Sequence, residues 1–245
     1  MQLFTQNNMY GFQWTKGFSR VPDALLVNYR DKFADYNTMQ IQVPRPGLVG
    51  DGVRVEQVTY EGLVTEDEAR MRAEYDQMQA MYRSTFYSWE CDSESILCRQ
   101  GDLVAVQHDM ISSWSGSGRV IDIMYDGSGD VVGLVIDNMI PFSDEPDMLS
   151  SPDLLGVDDL LMSGLPVGVS IMRGDSVSTH VVSGVTGNVV TFSPAIPADD
   201  IEIGSMVASG PVGSEHLRLV VSEIAPTSQF RATITAVDEA AIIWN

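Results

Sequence analysis

Lysine is almost absent from this chain of 245 residues: Lys16 and Lys32 are the only two, and every other basic residue is an arginine. Fourteen basic side chains face 34 acidic ones, which gives a formal charge of −20. A surface of that sign repels phosphate, and with no basic cluster to offset it no specific nucleic-acid binding is expected. Cysteine is nearly as scarce. Cys91 and Cys98 flank "DSESIL", too few for a disulfide framework and wrongly spaced for a CxxC metal site. Two reduced, half-buried thiols are the favoured reading, with a hairpin disulfide as the other. No charged-then-apolar leader and no apolar run of bilayer length occurs, so membrane insertion is not expected of this stretch of chain.

What the chain does have is alternation. In "DALLVNYRD", Leu25, Val27 and Tyr29 alternate with Asn28 and Arg30, the period-two pattern of a half-buried strand. "TMQIQV" and "DGVRVEQVTYEG" repeat it on either side of "PRPGLVGDG", a loop by its Pro and Gly content. "STFYSWE", "DLVAVQH", "GRVIDIMY" and "VVGLVID" continue the strands, the last two joined by the turn "DGSGD". Residues 138–165 are polar and Pro-rich and read as a loop, with one helical turn expected near Asp158. Three short strands follow in "VGVSIMRGDSVSTHVVSGVTGNVVTFSP". "HLRLVVSEI" and "FRATITAVD" close the chain as a pair, with Phe230, Ala232, Ile234 and Ala236 facing one way.

One stretch breaks this pattern. In "GLVTEDEARMRAEY", Thr65 and Glu68 form a capping box in which each side chain satisfies an otherwise unpaired amide. Glu66, Asp67 and Glu68 place negative charge against the positive end of the helix dipole. Met71, Tyr75, Met78 and Tyr82 then recur at helical spacing, and are expected to be the packing stripe of a helix over about 66–82. Ala69 and Ala73 flank the stripe and let the helix lie close to a sheet.

No residue earns a catalytic, cofactor-binding or metal-binding role. His108, His180 and His216 lie far apart, with no second His or Cys at ligand spacing. There is no GxSxG elbow, P-loop or GxGxxG after a strand. "YDGSGDVVG" lacks the alternating ligands and closing Glu of a calcium loop and is better explained as a hairpin turn. "RGD" at Arg173–Asp175 matches an adhesion tripeptide, but Gly-Asp after a strand is ordinary turn chemistry. Carboxylates are abundant, yet none sits in an apolar, aromatic-flanked setting that would suggest a sugar subsite; Glu90 after "YSW" comes nearest.

The order of segments points further. Trp14 precedes the strand ending "NYRD". A "GLVTEDEA" helix start, the strand "STFYSWE", and "GDLVAV" leading through a loop to "GRV" then follow in turn. This order resembles the tail-tip attachment proteins of lambda-like siphophages, the host-specificity protein J family, with related prophage and gene-transfer-agent tail proteins. The likeness runs from about Phe12 to Ile123 and resumes in "LRLVVSEI" and "FRATITAVDEAAI"; from Tyr125 to Ser214 it is one of pattern alone. Gln100 departs from the Pro usual in the family's "PGD" turn.

The resemblance implies a structural component of a virion tail tip, synthesised in the bacterial host cytoplasm. It would be a hub region of a longer protein, homotrimeric in the full assembly and in contact with the tube, distal-tail and tape-measure proteins. DNA would pass through its channel without being specifically bound. The expected fold is mainly β with one principal α-helix. A hub β domain over 1–120 plus 215–245 carries the helix, and a small β-barrel with a Pro-rich loop is inserted at 121–214. No enzymatic activity is expected. The rival readings are a tail-associated glycan or cell-wall hydrolase, which would need a cleft with two facing carboxylates, one desolvated, and a receptor-binding module.

Overall fold

The structure, a computed structural model, describes residues 1–17, 21–49, 54–110, 116–138, 166–199, 201–228 and 230–244. The loop expected at 138–165 lies outside the described residues except for its first position. The first strands are β1 (Gln2–Phe4), β2 (Tyr10–Lys16), β3 (Ala24–Asp31), β4 (Asn37–Pro44) and β5 (Val55–Thr59). Helix α1 (Glu66–Tyr82) follows, then β6 (Thr85–Cys91), β7 (Leu103–Val106), β8 (Gly116–Tyr125), β9 (Val131–Ile136) and β10 (Val167–Arg173). The remaining strands are β11 (Ser176–Val181), β12 (Gly184–Thr186), β13 (Val189–Ile196), β14 (Met206–Pro211), β15 (Leu217–Ser228) and β16 (Arg231–Asp238). The protein is mainly β, with a single α-helix among the described residues.

Two compact units divide the chain: Met1–Gln13 with Ser88–Ala236, and Trp14–Tyr87 with Val237–Asn245. The boundaries fall inside β2, β6 and β16. The segment expected as an insertion, 121–214, belongs to the first unit.

In the second unit β4, β3 and β5 form a sheet in that order. β3 and β4 pair antiparallel without interruption from Ala24↔Pro44 to Asp31↔Asn37, and β5 runs parallel to β3. The alternation in β3 turns Leu25, Val27 and Tyr29 to one face, where they bury with Val43, Ala69 and Ala73. On the opposite face Gln40 Nε2 donates to Asn28 Oδ1 at 2.9 Å, and Asn28 Nδ2 donates to Thr59 Oγ1 at 3.3 Å. An amide and hydroxyl ladder therefore crosses all three strands.

Helix α1 begins at its expected cap. Glu68 N–H donates to Thr65 Oγ1 at 3.4 Å, while Glu68 Oε2 accepts the amide of Val64 at 3.2 Å. The helix runs for 17 residues to Tyr82, with Arg83 as its C-cap, as its pattern predicts. Its packing face does not follow the expected stripe. The buried positions are Ala69, Ala73 and Gln77, whereas Met71 is 62% and Tyr82 41% exposed. At 100° per residue the two sets lie on opposite sides of the helix. Small residues select the sheet-facing side because they permit close approach, and this outweighs the larger apolar area of the Met and Tyr side chains. Gln77 Nε2 fastens the helix by donating to the Val43 carbonyl at 3.1 Å.

The seven-stranded sheet and most of a six-stranded sheet belong to the first unit. Six strands lie in the order β1–β7–β15–β16–β6–β2, with β1 parallel to β7 and β15 antiparallel to it. Trp89 and Phe4 are buried in this sheet with ring centroids 5.3 Å apart. Ala232, Ile234 and Ala236 share the buried face of β16 as expected. Phe230 does not join them: it precedes the strand, has φ of +68°, and is 85% exposed.

Seven strands lie in the order β11–β10–β14–β8–β9–β13–β12, and the sheet curls. Its edge strand β11 reaches β13 near the far edge, where His180 meets Phe192 with centroids 6.2 Å apart. The curl encloses Val120, Leu134, Ile136, Val169, Ile171, Val190, Phe192 and Val207 in one apolar core. The outer face of β14 is covered as well: Met206 and Ala208 pack with Leu3 and Ala105 of the six-stranded sheet.

Candidate functional site

The sequence nominates no catalytic, cofactor or metal residue, so the site is sought in the geometry. Two adjoining hollows of about 510 and 380 Å3 in the first unit share Gln2 and Gly174 in their walls. The smaller is lined by Glu94, Glu202 and Arg119 among others. Glu94 comes from the 3-10 turn Ser93–Leu97, Glu202 from the turn before β14, and Arg119 from β8. Glu94 is half-buried and Glu202 exposed. A general acid for glycoside hydrolysis is held protonated by burial in an apolar pocket, and neither carboxylate has such a setting.

A second constellation joins residues far apart in sequence. Ser170 Oγ lies 2.9 Å from His216 Nδ1 and 2.9 Å from Thr179 Oγ1, its neighbour across the β10–β11 ladder. Burial lowers the His216 pKa; the charge of Glu215 opposes that shift and Arg218 adds to it. Glu215 itself is buried, and its Oε1 accepts the Gly213 amide at 3.0 Å. Serine, histidine and a carboxylate are thus neighbours, but a nucleophile must be reachable by its substrate. Ser170 has no exposed surface. The cluster works as a buried polar clasp tying β10 and β11 to the segment before β15. No sequence signal marks it, because its members are brought together only by the curl of the sheet.

The other candidates have structural roles. Arg173 of the RGD tripeptide is turned back, donating to the Pro197 carbonyl at 3.0 Å and lying 3.3 Å from His180 Nε2. Since a guanidinium can only donate, that nitrogen accepts. Burial first, and Arg173 second, lower the His180 pKa. Gly174, with φ of +53°, makes the turn between β10 and β11. Asp126 Oδ1 accepts the amides of Ser128 and Asp130 at 2.8 and 2.9 Å, so this carboxylate shapes the β8–β9 hairpin. His108 stacks on Phe12 at 4.6 Å.

Cys91 and Cys98 are both buried free thiols. Burial, with nearby negative charge adding to it, pushes Cys91 up to about 12; burial and Asp102 push Cys98 up to about 11. Among the described residues no group of three His, Cys, Asp or Glu side chains could hold a metal ion, and no helix is long and apolar enough to cross a membrane.

No protein-family model matches the chain, and no curated protein matches it either.

Proposed function

We propose that this chain is a structural component of a bacteriophage or prophage tail tip, part of the central hub that links the tail tube to host-recognition elements. The observation that carries this reading is the make-up of the six-stranded sheet. The resemblance lies in two stretches of sequence separated by a long middle segment. Strands from both, β2, β6 and β7 from the first and β15 and β16 from the second, are members of one sheet. A hub works through protein contacts, in a homotrimer joined to tube, distal-tail and tape-measure proteins, and needs no catalytic residue.

The acidic balance fits a channel for DNA: like charge keeps the genome from adhering to the wall. Much of it is concentrated. Residues 14–87 and 237–245 hold nine of the 14 basic and 13 of the 34 acidic residues, leaving five basic and 21 acidic in the first unit.

Immunoelectron microscopy of tails from the particles that encode this chain tests the proposal. Label confined to the distal end of the tube is the expected result. Label along the tube, or its absence from intact tails, overturns the reading. Release of sugar or peptide from purified cell wall by the chain alone would favour the hydrolase instead.

A further inference from the structure

Strands at sheet edges carry unpaired amides and carbonyls, and proteins defend them with charge, proline, bulges or short length. Most edges here are defended. β1 and β12 are three residues long, β5 carries Glu56, β2 ends on Lys16, and β11 curls against β13. Among the described strands β4 is the exception. From Tyr36 to Pro44 there is no charged residue, the pairing with β3 has no bulge, and Asn37, Thr38, Met39, Gln40 and Gln42 are exposed.

The direction of the free groups follows from the hydrogen bonds behind them. The Asn28 carbonyl accepts the Tyr60 amide and the Ala24 amide donates to Arg54, so the even-numbered positions of β3 point toward β5. Odd-numbered Leu25, Val27 and Tyr29 therefore bond β4 through Val43, Ile41 and Met39. The amides and carbonyls of Thr38, Gln40 and Gln42 point outward. Pro44 falls on the same outward side, where its missing amide removes no bond to β3.

We infer that β4 is a self-association strand, which pairs antiparallel with β4 of a second copy of this chain about a two-fold axis through Ile41. In that register Gln40 faces the partner's Gln42 in narrow pairs that exchange both backbone bonds, and the Thr38 amide reaches the partner's Pro44 carbonyl. Ile41 meets Ile41 on the face that carries α1. Gln40 and Gln42 meet on the other face, extending the ladder that already joins Thr59, Asn28 and Gln40. Arg45 falls opposite Asn37, so no like charges are opposed. The pattern is complementary to itself, and this selects a second copy as the occupant. The second unit, with nine basic and 13 acidic residues against five and 21 in the first, repels a second copy less than the first unit does.

This inference is independent of the tail-tip proposal: a two-fold strand joint is a different association from a threefold ring. Sedimentation of the chain from 1 µM to about 1 mM should show a monomer–dimer equilibrium. The amides of Gln40 and Gln42 should exchange with solvent more slowly as dimer accumulates. A chain with Gln40→Lys and Gln42→Lys should be monomeric, as should one with Gln40→Glu and Gln42→Glu, while an equimolar mixture of the two should form heterodimer. Restoration in the mixture separates a lost interface from a misfolded variant. A wild-type chain that stays monomeric throughout, or an association of any order that is indifferent to the charge exchange, would overturn the proposal.

Discussion

The side chain of Glu215 fills the space beside Gly168 on β10. A Cβ added to Gly168 would lie 2.7 Å from Glu215 Cδ and 2.8 Å from its Cγ. Gly168 is paired with Gly210 of β14, where an added Cβ would meet the Glu215 backbone at 3.0 Å. Two facing glycines thus make room for one buried carboxylate.

Gly168→Ala should therefore destabilise the protein by roughly 1–3 kcal/mol, the range for overpacking a filled interior. Gly127→Ala is the control, because nothing lies within 4 Å of its added Cβ. Urea unfolding of both variants against the wild type checks the contrast. Equal effects would mean that Glu215 yields freely.

Ala73→Leu should cost roughly 1–3 kcal/mol, since it forces α1 away from Val27 and Val43. Met71→Ala should change stability by less than about 0.5 kcal/mol, as an exposed position. Thermal unfolding of the pair distinguishes the observed packing face from the one that spacing suggests.

Stability should fall as the pH drops below neutrality. The folded pKa values of His216 and His180 lie below their usual 6.5. Well above 6.5 both are neutral in either state. Below it the unfolded chain takes up protons that the folded chain refuses, so stability declines until the folded pKa values are passed. Unfolding free energies measured from pH 7.5 to 5 should show this slope, and His216→Gln should reduce it.

Neither cysteine should react with a thiol reagent at pH 8 in the native protein, because thiolate is the reactive form and burial suppresses it. Both should react once urea unfolds the chain. Rapid labelling of the folded protein would contradict the enclosure of Cys91 and Cys98.

Local chemistry made α1 legible: Thr65 and Glu68 mark its start, and the return of aromatic alternation marks its end. Its orientation was legible only in part. Ala69 and Ala73 are expected to allow close approach to a sheet, but spacing makes the larger apolar stripe of Met71, Tyr75, Met78 and Tyr82 the expected packing face, whereas Ala69, Ala73 and Gln77 are the buried positions. β14 escaped notice for another reason. Met206–Gly210 are buried on both faces, Val207 toward the curled core and Met206 and Ala208 toward the six-stranded sheet. A strand covered on both sides has no period-two signature. The Ser170–His216 contact and the groove holding Glu94 and Glu202 depend on long-range folding alone, which a single sequence does not encode in any local pattern.

β7 ends at Val106 and β15 begins at Leu217 directly opposite it, so everything between them is an excursion that starts and finishes at neighbouring points of one sheet. The entropy of closing such an excursion grows only logarithmically, by about 0.6 kcal/mol for each doubling of length. Residues can accordingly be gained or lost between the two strands without shifting the β7–β15 register. The six-stranded sheet behaves as a doorway through which segments of different size can be passed, while Leu3 and Ala105 require only that some apolar surface return to cover them.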